Sequence, residues 1–120
     1  YTPNFASRDY LRAGLARGVN VTLDNLHVLE RWGDDLRGTE VFVRVDPGTG
    51  RGHHRHVHTA GMASKFGVHP EELPRLRELA AKHGVRVTGL HAHAGSGIRD
   101  PKNWAEVALF LADVAAAGFP

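Results

Sequence analysis

Cysteine is absent from this sequence, which excludes disulfide staples, thiol catalysis and thiolate metal sites together. No apolar run approaches the ~20 residues a membrane helix needs, and no signal peptide is legible, which favours a cytosolic protein with no membrane attachment. Neither sign of charge dominates: 15 Lys and Arg stand against 13 Asp and Glu, a formal net charge of +2. The basic residues are scattered with few aromatics among them, so a nucleic-acid surface has little support. What the chain does have is histidine, nine in 120 residues. Hydrophobic content of 42% and charged content of 23% are those of a globular domain.

In chain order, residues 1–6 read as the end of a strand and its loop. Ser7 caps a predicted helix through about Arg17, with Gly18 at its C′ position. Val19–Asp24 is the next strand. Asp24 or Asn25 then caps a helix with Leu26, Leu29 and Trp32 spaced for burial and Gly33 as its stop. Glu40–Asp46 is a strand halted by Pro47. A helix from about Glu72 to Lys82 buries Leu73, Leu76 and Ala80, and Pro70 and Pro74 both suit its first turn. A strand from Arg86 follows, then Asp100-Pro101 as cap and first turn of a last helix. Trp104, Val107, Ala108, Leu111 and Val114 form its expected buried stripe.

Strand and helix alternate with short connections, the pattern of a parallel sheet with right-handed crossovers. Strands buried on both sides are normally apolar throughout. Here one parity of each strand turns polar towards its C-terminal end: Asn20, Thr22, Asp24; Phe42, Arg44, Asp46; Gly89, His91, His93. In a (β/α)8 barrel these positions point inward and converge where βα loops build sites. The fold class expected is therefore α/β, part of a (β/α)8 TIM barrel. Three strands cannot close one, so residues 1–120 are expected to be one segment of a barrel domain, incomplete at both ends. Asp24 and Arg44 share the inward parity on neighbouring strands, which predicts an ion pair, since a buried charge needs a partner.

Three stretches carry candidate chemistry. Residues 47–69 hold five glycines and five histidines without apolar period, as a functional or mobile loop would. Within them, Gly52–His58 resembles a metal tract by composition, but a solvated loop of histidines titrating near neutrality is the favoured reading for most of them. Pro47-Gly-Thr-Gly-Arg-Gly52 lacks the Gly-Lys-Ser/Thr ending of a phosphate loop. His91-x-His93 puts two imidazoles on one face of a strand. That arrangement opens metal-dependent barrel hydrolases, and equally serves stacking or hydrogen bonding without metal. Gly95-Ser96-Gly97 supplies exposed amides and a hydroxyl directly after a strand, an anion site or an ordinary tight turn.

Taken together, Arg44-Val-Asp-Pro-Gly-x-Gly-x-Gly-His-His54, Thr59-Ala-Gly61, Ser64-Lys-Phe-Gly67 and Gly89-Leu-His-Ala-His-Ala-Gly-Ser-Gly97 resemble the diaminopimelate decarboxylases. These are pyridoxal-phosphate enzymes with an alanine-racemase-like barrel. Thr2-Pro-Asn-Phe5 and Val19–Asn25 are similar to the preceding units of that barrel, and the sequence as a whole resembles the form fused to an aspartate kinase. The resemblance implies pyridoxal 5′-phosphate as cofactor, a small amino-acid substrate and a homodimer of the full-length enzyme. It implies that His93 stacks on the pyridine ring and that Ser96, with Gly95 and Gly97, binds the phosphate. Arg44 and His91 complete the cofactor-binding set, and no metal is expected. Residues 48–63 would be a mobile active-site loop, with Ser64–Gly67 positioning its far end.

The same resemblance puts the cofactor-bearing lysine upstream of Tyr1. The glycine-rich phosphate loop, the acidic partner of the pyridine nitrogen and a partner-chain cysteine motif would lie beyond Pro120. Lys65, Lys82 and Lys102 do not match that lysine, so residues 1–120 alone are expected to lack activity. Metal-dependent hydrolysis through His91 and His93 is the alternative.

Overall fold

The computed structural model describes residues 1–48 and 66–119. Helix α1 (Arg8–Ala16) leads to strand β1 (Val21–Leu23), and α2 (His27–Trp32) runs into a 3-10 turn at Gly33–Leu36. Strand β2 (Glu40–Arg44) follows, then a 3-10 turn at Pro70–Glu72 opening α3 (Leu73–His83), strand β3 (Arg86–His91) and α4 (Pro101–Ala116). The strands are parallel in the order β1-β2-β3. The mobile-loop expectation falls on residues outside the described ones, apart from Gly48, as do the Gly52–His58 tract, Thr59–Gly61, Ser64 and Lys65.

Local signals set most boundaries. The Ser7 hydroxyl accepts from the Tyr10 amide at 3.4 Å to start α1, and Gly84, left-handed at φ 65, ends α3. Both prolines serve helix starts, Pro70 in the 3-10 turn and Pro74 in the first turn of α3. His69 precedes them as a reciprocal cap: its Nδ1 accepts from the Glu71 amide while Glu72 Oε2 accepts from the His69 amide. Before α2, Asn25 Oδ1 accepts from the His27 amide at 3.0 Å. Asp24, the other candidate cap, is turned away to an ion pair.

The core lies on one face of the sheet. Val21 and Leu23 from β1 and Val41, Val43 and Val45 from the β2 stretch pack against Leu11, Val28, Leu29, Leu36, Leu76 and Leu79. Leu26 and Trp32 only half bury, while Val28 takes the inner position on α2 beside Leu29. The other sheet face carries Phe42, which remains 41% exposed. Helices on one face and an open polar face on the other are the wall of a barrel rather than a doubly wound sheet.

Strand β3 keeps this division through a register shift opposite Val41 and Phe42. Val41 pairs with Val87 but Phe42 with Gly89, leaving Thr88 as the extra residue. Val87 and Leu90 thereby both reach the core, although they stand three positions apart. Gly89 stays opposite Phe42, where a Cβ would lie 2.8 Å from the ring.

Helix α4 departs from the expected stripe. Val107, Leu111 and Val114 are half buried, but Trp104 is 55% exposed and Ala108 is exposed. Among the described residues, α4 leans on β3 and packs Phe110, Leu111 and Val114 against the core, and Arg77 Nη1 of α3 donates to the Ala117 carbonyl at 3.1 Å. A stripe as wide as Trp104–Val114 needs a neighbour on each side.

Two contacts lock the layers. Gly33 lies against the His83 imidazole so closely that any Cβ would overlap the ring, whose Nδ1 meets Asp34 Oδ1 at 3.2 Å. At the strand ends, Asp24 is 1% exposed and accepts at Oδ1 from Arg44 Nη1 at 3.0 Å. This fulfils the ion-pair expectation. With its amide oriented to satisfy both groups, Asn4 donates to Asp24 Oδ2 at 2.6 Å.

In the full-length protein, Gly33→Ala should lower stability by about 1–3 kcal/mol through overpacking. The cost should shrink on a His83→Ala background, and equal costs on both would mean the ring is not what Gly33 accommodates. Arg44→Met should cost about 3 kcal/mol, the lower end for breaking a buried pair, because the Arg44 side chain keeps 16% exposure. Urea denaturation midpoints read both, and a loss below 1 kcal/mol for Arg44→Met would refute the pair as a structural clamp.

Candidate functional site

Parallel strands end on the same side, so the residues closing β1, β2 and β3 meet at one rim. Arg44 and His91 are register partners across β2 and β3, and the pairing continues one step further where the Val45 amide donates to the His91 carbonyl at 2.8 Å. Asp24 reaches Arg44 from β1. The rim therefore presents an acid, a guanidinium and an imidazole side by side, as their common inward parity predicts.

The charges shape one another. Burial pushes the Asp24 carboxyl above its ordinary value, while the Arg44 guanidinium pulls it down. Burial also holds His91 below the usual imidazole range, and the neighbouring Arg44 guanidinium acts in the same direction. His91 is thus biased towards its neutral form, leaving Arg44 as the permanent cation of the rim.

After β3 the chain enters the loop at residues 92–99. Ala94 is buried and anchors it, while His93 and Ser96 are exposed. Gly95 at φ 135 and Gly97 at φ 74 adopt backbone that side-chain-bearing residues avoid. At Gly97 a Cβ would meet open space, so conformation alone requires glycine there. Asp100 then caps α4 by accepting from the Lys102 amide at 3.0 Å. Exposed hydroxyl, bare backbone and an imidazole thus lie one loop away from Arg44.

The structure puts Arg44 and His93 each within electrostatic reach of His91, with Gly95, Ser96 and Gly97 in the loop that carries His93. Sequence reading missed two members of the rim. Asn4 was legible only as part of Thr2–Phe5, and Phe66, whose ring centroid lies 5.2 Å from the Arg44 guanidinium carbon, only as a letter of Ser64–Gly67. Among the described residues, no three His, Asp or Glu side chains are grouped to hold a metal ion. None of their helices is long and apolar enough to cross a membrane.

Residues 1–116 match the family described as pyridoxal-dependent decarboxylase, pyridoxal binding domain. The chain is 38% identical over 116 residues to the diaminopimelate decarboxylase of Methanothermobacter thermautotrophicus, covering 96% of this chain and 27% of that protein. It is 35% identical over 98 residues to that of Streptomyces coelicolor, covering 82% and 22%. It thus spans about a quarter of the length of these relatives. A crystal structure of a diaminopimelate decarboxylase superposes with TM-score 0.70 at 28% identity over 82% of this chain and 23% of that one. The lysine/ornithine decarboxylase of Vibrio vulnificus, solved with putrescine, superposes with TM-score 0.72 at 25% identity over 98% and 28%. These neighbours make the three-stranded wall a part of an alanine-racemase-like barrel, and they lend nothing to metal-dependent hydrolysis through His91 and His93. The chain belongs to the pyridoxal-dependent decarboxylase family, by its match to that family's pyridoxal-binding domain.

Proposed function

We propose that residues 1–120 are one segment of the barrel domain of a diaminopimelate decarboxylase that converts meso-2,6-diaminopimelate to L-lysine and CO2 with pyridoxal 5′-phosphate. The observation that carries the reading is the rim itself. A glycine-flanked serine, two imidazoles and a paired arginine stand at the C-terminal end of a parallel sheet, in a chain 38% identical to a decarboxylase of that name.

The residues present fit a phosphorylated aromatic aldehyde. The Ser96 hydroxyl and the amides around Gly95 and Gly97 suit a phosphate, because positive-φ glycines leave the backbone open to an anion. His93 is exposed and offers a flat ring to a pyridine face. Arg44, held by Asp24, contributes positive potential, and His91, biased neutral, adds a polar group without a second charge. When bound, the cofactor supplies an electron sink for the pair left as CO2 departs. The protein's part is to fix the plane and position of that sink. The full-length enzyme is read as a cytoplasmic homodimer, with the lysine that carries the cofactor outside residues 1–120.

Full-length protein incubated with meso-diaminopimelate and pyridoxal phosphate should release CO2 and lysine in equal amounts. No release from this substrate would overturn the substrate assignment. Borohydride reduction followed by mass spectrometry should attach the cofactor to a lysine other than Lys65, Lys82 and Lys102, and a stoichiometric adduct on any of these would overturn the placement of the lysine. Titration of the cofactor-free protein should show Ser96→Ala weakening affinity about 10- to 100-fold, as expected for losing a hydrogen bond to an anion. His93→Ala should weaken it about three- to tenfold through lost stacking. Unchanged affinity in both variants would remove this loop from the site.

A further inference from the structure

Phe66 meets Arg44, and the residues after it are seated by backbone hydrogen bonds and by the Val68 side chain in the core. The Gly67 amide donates to the Asp24 carbonyl at 2.9 Å and the Val68 amide to the Arg44 carbonyl at 2.8 Å, while Val68 accepts from the Asp46 amide at 3.0 Å. Gly67, at φ 85, passes so near β2 that a Cβ would lie 2.9 Å from the Asp46 nitrogen. Val68 is fully buried and bridges Val45 in parallel. This three-residue strap ties the ends of β1 and β2 together and fixes where the Phe66 side chain starts.

On that seat the ring meets the Arg44 guanidinium, with the guanidinium carbon 5.2 Å from the centroid, inside the range for cation–π attraction. Arg44 is then held twice, at one edge by Asp24 Oδ1 and at a face by the ring. The two holds differ in electrostatic consequence. A second carboxylate in place of the ring would leave the cluster with a net negative charge, whereas an aromatic face attracts the cation and adds no formal charge. We propose that Phe66 is a positioning residue for Arg44: its ring, seated by the Gly67–Val68 strap, holds the guanidinium at the rim without neutralising it. The use of that held charge for a cofactor rests on the function proposed above, whereas the hold itself does not.

A double-mutant cycle in the full-length protein separates the two. Without cofactor, the melting-temperature losses of Phe66→Leu and Arg44→Gln should be non-additive, since each removes the same contact. Phe66→Tyr, which keeps the aromatic face, should retain the wild-type value within a degree or so. Additive losses, or a Phe66→Tyr loss equal to that of Phe66→Leu, would overturn the hold. With pyridoxal phosphate titrated in, Phe66→Leu should weaken binding about three- to thirtyfold in the wild-type background. On Arg44→Gln it should weaken binding less than about twofold, because the charge it positions is gone. Equal losses on both backgrounds would show that Phe66 acts on the cofactor by another route and overturn the positioning role. Failure of the unmutated protein to bind the cofactor would instead overturn the proposed function, with the melting cycle still deciding the hold.

Discussion

Asp24 is the carboxylate around which the strand ends are arranged. Almost fully withdrawn from solvent, it would be strongly destabilising without a cation within hydrogen-bonding distance. Arg44 supplies that cation from the neighbouring strand, and Asn4 adds a donor from the preceding loop. The pair fixes more than itself. It locks β1 and β2 at the end where the loops leave the sheet, and it sets the place of a permanent cation there. His91, in register with Arg44, inherits that potential and is biased to the neutral state.

The glycines near the rim follow from the same geometry. Gly67 admits the strap over the ends of both strands, and Gly89 admits the Phe42 ring one step below Arg44. Neither is there for a turn. Each marks a place where another group comes too close for a Cβ, at Gly67 on top of a left-handed backbone, whereas Gly95 and Gly97 are conformational, leaving the loop backbone beside Ser96 uncovered. The first pair builds the wall and the second pair shapes a surface suited to an anion.

The two faces of the sheet have opposite fates. The helix-covered face holds a continuous aliphatic core from Leu11 to Val85. The opposite face carries Phe42, Arg44 and His91 and remains open among the described residues, in a chain that spans about a quarter of its relatives. The exposure of Trp104 belongs with this, since the described elements cover only part of the apolar stripe of α4.

Local sequence determined the helices and much of the rim. Ser7, Gly18, Gly84 and Asp100 mark boundaries because caps and left-handed turns depend on a few adjacent residues. The inward parity of Asp24, Arg44 and His91 was legible because a strand's side-chain period is two. Tertiary structure alone decided the rest. Val87 and Leu90 cannot share a face in an unbroken strand, and only pairing with β2 reveals the bulge at Thr88 that reconciles them. Asp24 and Asn25 were equal candidates to cap α2 until the position of Arg44 drew Asp24 away. Phe66 is separated from Arg44 by 22 positions, and no local pattern joins a ring to a guanidinium across that distance. Their meeting depends on backbone bonds from Gly67 and Val68 to two different strands, which exist only once the sheet has formed.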